Sequence, residues 1–214
     1  MAFNFPEGAK FQFSTTFAGA KTITAVSNAN PAVLTSTAHG YSDGDVFLFT
    51  SGWEDATNSI FVANQLTADT FEATGLDSSS TTYFGAGTGT GETQKVTGWT
   101  DIPQVLTVAT SGGDTRFTDV QLLAARQGIK IPTGFNAATT TLTLAHDPAN
   151  ATYQTLLGLS RTFTKVAFRI VGGGGTSYGY GYITVNESAR MQSGQVNQVE
   201  CAISFLGRQI AYSS

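Results

Sequence analysis

The chain has 214 residues, enough for one large domain or two small ones, and only 12% of them are charged. A formal net charge of −4 carries no basic footprint of a free nucleic-acid binder, 11% aromatic residues exclude a disordered chain, and a single cysteine, Cys201, excludes an internal disulfide. With 33 Thr, 17 Ser and 24 Gly, the surface is hydroxyl-rich and weakly charged. No apolar run approaches the roughly 20 residues of a membrane-spanning helix. Met1–Lys10 lacks a charged-then-apolar signal pattern, so residence in the cytoplasm where the chain is made is the expectation.

In chain order, Phe11, Phe13, Thr15 and Phe17 alternate with polar residues, the period of a half-buried strand. Phe11 and Phe13 are candidates for contact with another subunit. From Thr22 to Thr90 the chain holds seven acidic residues (Asp43, Asp45, Glu54, Asp55, Asp69, Glu72, Asp77) and no Lys or Arg. All eleven basic residues lie outside it. Such a step in charge marks a module, and the run Gly85–Gly91 has the composition of a flexible linker at its end. The expected organisation is a host domain of residues 1–21 and 91–214 interrupted by an acidic all-β domain at 22–90. One continuous β domain with an acidic edge is the competing organisation. Strands are expected at Thr22–Ser27, Ala32–Ser36, Asp45–Thr50, Ser59–Asn64 and Thr70–Ala73, with turns at Asn28–Pro31 and Asp43–Asp45.

In the host, Val120–Arg126 reads as either a short helix or a strand. Leu142 and Leu144 alternate with Thr141 and Thr143, threonine suiting the wet face of a sheet. Asp147-Pro148 is a helix start, and Tyr153, Leu156 and Leu157 then form one apolar stripe, which predicts a helix over about 148–160. Arg161 near its end suits the helix dipole. Val166, Phe168 and Ile170 predict a strand, as do Val199, Cys201, Ile203 and Phe205. Tyr178, Tyr180 and Tyr182 alternate with Gly179 and Gly181, so the three rings share a face. That face packs either on a partner subunit or into a core that the glycines let another backbone approach. The fold class expected is mainly β, a sandwich or barrel with one flanking helix, plus the inserted small β-domain.

The motifs of chemistry are weak. Gly175-Thr176-Ser177-Tyr178-Gly179 matches a nucleophile elbow, but a strand rather than a helix is expected after it, and His39 and His146 both lie upstream. The glycine runs lack a following Gly-Lys-Ser/Thr and so do not form phosphate cradles. His39, Asp43 and Asp45 could be drawn as a metal site, yet Asp-Gly-Asp is also an ordinary turn. Cys201, on an apolar strand face, reads as a buried structural thiol. No catalytic, cofactor-binding or metal-binding residue is therefore assigned.

The stretch NPAVLTSTAHGYSDGDVF, with Ile23–Ser27 before it and Thr70-Phe71 after it, resembles a small β-repeat inserted in bacteriophage structural proteins. The flanking chain resembles the tail tube proteins of long-tailed, siphovirus-like bacteriophages. The residues that carry this are FPEGAKFQFSTTFAGAKTI, TTLTLAHDPANATYQTLLGLSRTFTKVAFRIV and YGYITVNESARMQSGQVNQVECAISFLGRQIAY. The resemblance implies a structural virion protein rather than an enzyme. Six copies would close into a ring whose sheets join around a channel. Rings would stack from a tail-tip complex around a tape-measure protein to a terminator, and DNA would pass through without specific binding. The module would then decorate the outer wall of the tube, in a tail without a contractile sheath. A decoration or receptor-binding protein, a terminator ring, and a cell-wall or polysaccharide hydrolase are the competing readings.

Overall fold

A computed structural model describes residues 8–213. The first strand, β1 (Lys10–Ser14), belongs to a large sheet that the rest of the chain completes much later. The chain then crosses to a second sheet, made by β2 (Thr16–Phe17), β3 (Lys21–Ile23), β4 (Ala25–Val26), β5 (Ala32–Thr35), β6 (Val46–Ser51), β7 (Ser59–Gln65), β8 (Thr70–Thr74) and β9 (Gly91–Thr97). It returns through β10 (Thr100–Asp101) and β11 (Val105–Ser111). A hairpin of β12 (Thr115–Val120) and β13 (Ile129–Phe135) follows, then β14 (Thr139–Ala145) and α1 (Ala151–Thr162). The chain closes with β15 (Lys165–Gly172), β16 (Gly175–Val185), β17 (Gln198–Phe205) and β18 (Ile210–Tyr212). The large sheet runs β10-β1-β15-β16-β17-β14-β11, with β18 also on β16. The second runs β2-β9-β6-β7-β8-β5-β4, with β3 also on β9. Every pairing is antiparallel. The protein is thus mainly β with a single helix among the described residues.

The alternation read from sequence decides which side chains go inside. Leu142 and Leu144 of β14, and Val199, Cys201, Ile203 and Phe205 of β17, line one face of the large sheet. Tyr153, Leu156 and Leu157 of α1 pack onto that face with Phe13, Val166 and Phe168. Each large apolar side chain so buried stabilises the fold by about 1.5–3 kcal/mol. The helix starts later than the sequence suggests. Asn150, not Asp147, is its cap: the Asn150 Oδ1 accepts from the backbone N–H groups of Thr152 at 2.9 Å and Tyr153 at 3.2 Å. Asp147 and Pro148 form the turn that precedes it, with the Asn150 N–H donating to the Asp147 carbonyl. The Val120–Arg126 segment is neither of the two elements considered for it. Val120 ends β12, and the residues that follow are the turn of the hairpin.

The second sheet has its own aromatic core of Tyr41, Phe47, Phe49, Trp53, Phe61, Phe71 and Phe84. Its first five segments match the expected strands closely, except that the first breaks at Thr24 into β3 and β4. The Gly85–Gly91 run, expected as a flexible linker, is packed instead. Trp53 Nε1 donates to the Gly85 carbonyl at 2.8 Å and Ser51 Oγ to the Gly89 carbonyl at 3.0 Å. Gly91 begins β9, which pairs with β6 from Ser51 to Phe47 and with β3 from Ile23 to Lys21.

A third apolar cluster joins the two sheets. Val46, Leu48, Ile60 and Val96 of the second sheet meet Ala167, Tyr178 and Tyr180 of the large one, with Phe17, Val62, Trp99 and Tyr212 at the margin. Residues beyond β17 strap the seam. The Arg208 N–H donates to Ser59 Oγ at 3.1 Å, the Tyr212 hydroxyl donates to the Thr74 carbonyl at 2.6 Å, and it accepts from the Val62 N–H at 3.2 Å. Tyr212→Phe removes both bonds and leaves a part-buried N–H without its partner. It should cost about 1–3 kcal/mol in urea unfolding, and no measurable loss would show that the strap carries no stability.

Burial pushes the phenols of Tyr41 and Tyr212 and the thiol of Cys201 up to about 12, from ordinary values of 10.0 and 9.0. Each folded value is raised, so the neutral side chains contribute stability that is fully present below the unfolded values. It is lost as pH climbs from about 9 towards about 12. Unfolding free energy measured across that range should fall steadily; a flat profile would mean that these groups are solvated.

Candidate assembly surface

β11 and β14 pair from Val105 and Leu144 to Ser111 and Thr139, and β12 and β13 pair from Thr115 and Phe135 to Val120 and Ile129. The two ladders are halves of one long ribbon. Between them the Gly113 N–H donates to the Asn136 carbonyl at 3.1 Å and the Asn136 N–H to the Asp114 carbonyl at 2.9 Å. The break needs glycine: Gly112 has φ 77° and a Cβ there would lie 1.9 Å from the Ala137 carbonyl oxygen. The proximal half is held by β17 through β14, from Thr139↔Ser204 to Ala145↔Gln198. The distal half, some six residues at about 3.4 Å each, runs about 20 Å past the sheet.

Among the described residues that distal half pairs with no other strand. Residues 115–135 are exposed, save Val120, Ala125 and Gly134, which are half-buried. Yet it is apolar. Val120 lies opposite Ile129, Thr118 opposite Ile131 and Phe117 opposite Pro132, while Leu122 and Leu123 stand exposed at the turn. Asp119 and Lys130 face each other at 4.0 Å across the ladder, both largely in water, a pairing worth little. An isolated two-stranded hairpin is marginal in water, so a covering surface is needed to hold it. Among the described residues β11 pairs only with β14, and its Leu106 and Val108 are exposed.

The residues singled out from sequence sit elsewhere. Phe13 is buried in the large-sheet core, with Phe11 packed against it. Tyr178 and Tyr180 are buried in the seam between the sheets, where Tyr180 meets Phe17 edge-on at 6.0 Å and Tyr178 meets Tyr212 at 5.6 Å. Tyr182 is half-buried with the Lys165 ammonium 5.8 Å from its ring. On the opposite face, a Cβ at Gly179 would lie 2.3 Å from the Phe205 ring, so the glycine makes room for that ring. Phe13, Tyr178 and Tyr180 are thus occupied within one chain, while Phe11 and Tyr182 stay half-buried. The ribbon was missed because its apolar residues are separated by charges, proline and glycine, which hide the period.

The chemistry considered at sequence level finds no frame. Ser177 lies within β16, opposite Ile170 and Ala211, not on a strand-to-helix turn. Asp45 Oδ2 accepts from Lys95 Nζ at 2.6 Å, and Asp43 Oδ1 from the Gln65 N–H at 2.7 Å. The buried His39 has both ring nitrogens engaged, Nε2 against the Thr67 carbonyl at 3.0 Å and Nδ1 accepting from the Tyr41 N–H at 2.9 Å. Among the described residues no three His, Cys, Asp or Glu side chains gather as a metal site, and no helix is long and apolar enough to cross a membrane.

A family model described as phage tail tube protein matches residues 51–214. The chain belongs to the phage tail tube protein family. It is accordingly a structural component of the virion tail. Among solved structures it is similar to the SPP1 tail tube determined by solid-state NMR and cryo-EM, at 14% identity and a TM-score of 0.43, over 55% of this chain and 69% of that one. It is also similar to a chain of the native gene transfer agent virion, at 13% identity and a TM-score of 0.41, over 54% of this chain and 89% of that one. No curated protein matches it.

Because the distal ribbon is exposed and pairs with no other described strand, replacing Thr115–Phe135 by a two-residue Asn-Gly turn should leave the Tm of the unassembled protein within about 2 °C. A larger drop by calorimetry would mean that the ribbon packs on its own chain.

Proposed function

We propose that the chain polymerises with itself into the tube of a phage tail. Six copies close into a ring, rings stack, and the channel conducts DNA out of the virion during ejection. The observation that carries this reading is the β11–β14 ribbon with its exposed distal half and a β11 edge that no described strand pairs, in a chain of this family. A free edge and exposed apolar ribbon are aggregation hazards in a monomer, and they cease to be so when a neighbouring copy pairs with the one and covers the other. The role is structural and not catalytic. The scarcity of charge suits a conduit, since a wall that displaces few counterions does not retain a duplex.

The acidic module, about residues 22–90, belongs on this reading to the outer wall, because six copies would not fit a channel sized for a duplex. Its attachment through the apolar seam supports a fixed rather than a tethered position. The tape-measure protein, the tail tip and the terminator are the remaining partners. Assembly takes place in the cytoplasm of the host bacterium.

Negative-stain electron microscopy of concentrated protein should reveal hollow rings or tubes with an axial repeat and radial projections. The chain lacking Thr115–Phe135 should stay folded and fail to form them. A closed trimer at every concentration would replace this reading with that of a decoration or receptor-binding protein. Hexamers that never stack would make the chain a terminator.

A further inference from the structure

The large sheet comes close to closing on itself. Its end strands β10 and β11 are consecutive in the chain, joined by Ile102-Pro103-Gln104. The Ile102 N–H donates to the Phe11 carbonyl at 2.7 Å, and the Ala145 N–H to the Gln104 carbonyl at 2.9 Å. The chain therefore crosses from β1 to β14 within three residues, with Gln104 at φ 60°. β1 and β11 themselves are not paired. A groove of about 760 Å³ lies between them, lined by Gly8–Phe11 and by Val105–Val108, with Asp101–Gln104 joining the two sides.

The groove opens into the core of the large sheet. Val105 and Val108 stand opposite Leu144 and Leu142, the core-facing residues of β14, so they face the core as well. Phe11 shares a face with buried Phe13, two residues on along β1. Yet Phe11 and Val105 are only half-buried and Val108 is 40% exposed, because no described strand covers them. Leu106, at the irregularity in the β11–β14 register, is exposed as well. An extended segment with apolar side chains two residues apart would finish this wall, its backbone pairing with the outer edge of β11.

We propose that residues 2–6, Ala-Phe-Asn-Phe-Pro, supply that wall within the same chain before assembly, as an added strand on β11 with Phe3 and Phe5 turned towards Phe11, Val105 and Val108. The segment leads directly to the groove, since Gly8 is among the lining residues. Gly8 has φ 84°, a turn conformation ahead of β1 that glycine adopts without strain. The seven residues before it reach about 24 Å when extended, a span equal to that of β11, which also has 7 residues. Phe3 and Phe5 alternate with Asn4, which gives the segment one apolar face for the core and one polar face for water. Pro6 has no N–H to offer and so suits an edge strand that admits no further strand. The consequence rests on the polymerisation reading above. In the free subunit the segment occupies the β11 edge that a neighbouring copy pairs in the tube, so each subunit carries its own stop to assembly and must release it to join.

Cys201 is fully buried, so introduced cysteines are the reactive thiols of the folded chain. Thr107 is exposed and stands opposite Thr143, on the face away from the core. Asn4→Cys and Thr107→Cys in one chain therefore leave the apolar contact intact. A short bis-maleimide with a reducible spacer should link them within the monomer, found by peptide mass mapping. Asn4→Cys with Tyr83→Cys, an exposed site on the acidic module, should give no link. The locked chain should form no tubes by microscopy, and reduction of the spacer should restore them. Phe3→Ser with Phe5→Ser should lower the concentration needed for assembly by about tenfold, the ratio for a parent in which about one subunit in ten is open. No link in the Asn4→Cys/Thr107→Cys chain would overturn the strand. So would a dimer from the two single variants mixed, which would put a second copy's segment in the groove. A locked chain that assembles as readily as the unlocked one would overturn the stop, as would a Phe3→Ser/Phe5→Ser chain that needs more protein to assemble. If the link forms and no variant ever polymerises, the strand stands and the polymerisation reading falls.

Discussion

β16 is paired along both edges and packed on both faces over its middle, Tyr178–Gly181, and the rest of the molecule is arranged around that constraint. Its edges pair with β15 on one side and with β17 and β18 on the other. One face carries Ile183 and Val185 into the core beneath α1, and there Gly179 admits the Phe205 ring. The other face carries Tyr178 and Tyr180 into the seam with the second sheet. A strand buried on both faces cannot slip by one residue, because slippage would exchange glycine for tyrosine on two packed surfaces at once. The register of β16 therefore fixes the large sheet and the seat of the second sheet together. What remains for contact with other molecules is what β16 does not reach: the edge of β11 and the ribbon beyond it.

Much of the architecture was legible because the sequence is regular where it is buried. Alternation at Leu142–Leu144 and Val199–Phe205 gave strands that exist and inward faces that are correct. The stripe Tyr153, Leu156, Leu157 gave the helix and its buried side. The strands of the acidic segment were recovered almost to the residue, since each is bounded by Asn, Asp, Gly or Pro. Two things were not legible, for related reasons. A glycine run reads the same whether the freedom of its backbone is used for motion or for close packing, so Gly85–Gly91 looked like a linker while Trp53 holds it. An aromatic face reads the same whether its partner is another chain or a distant part of its own, so the tyrosines of β16 looked like an interface while Val46, Leu48 and Ile60 meet them. The exposed ribbon was hidden because Pro132, Asp119 and Lys130 break its pattern, residues that lower the tendency of an exposed strand to pair indiscriminately.

The balance between solubility and assembly follows from the same division. Charge is scarce, so long-range repulsion between copies is weak, and what keeps them apart is that each exposed apolar element is small. The tip at Leu122 and Leu123 and the β11 residues Leu106 and Val108 lie at different places along the ribbon. They do not form one large patch that would bring two copies together nonspecifically.

The strap made by Arg208 and Tyr212 has a consequence for how the chain folds as it is synthesised. The aromatic core around Phe47, Phe61 and Phe71 involves residues that leave the ribosome within one stretch, and it can form early. The seam cannot, because Tyr212 must reach Thr74 and Val62 across well over a hundred residues of intervening chain. Likewise Lys10–Ser14 must wait for Ala167–Val171 before it has a strand partner. Contacts so distant in sequence make for slow folding. The aromatic core of the second sheet can thus be complete before the residues that finish the large sheet and the seam have been made.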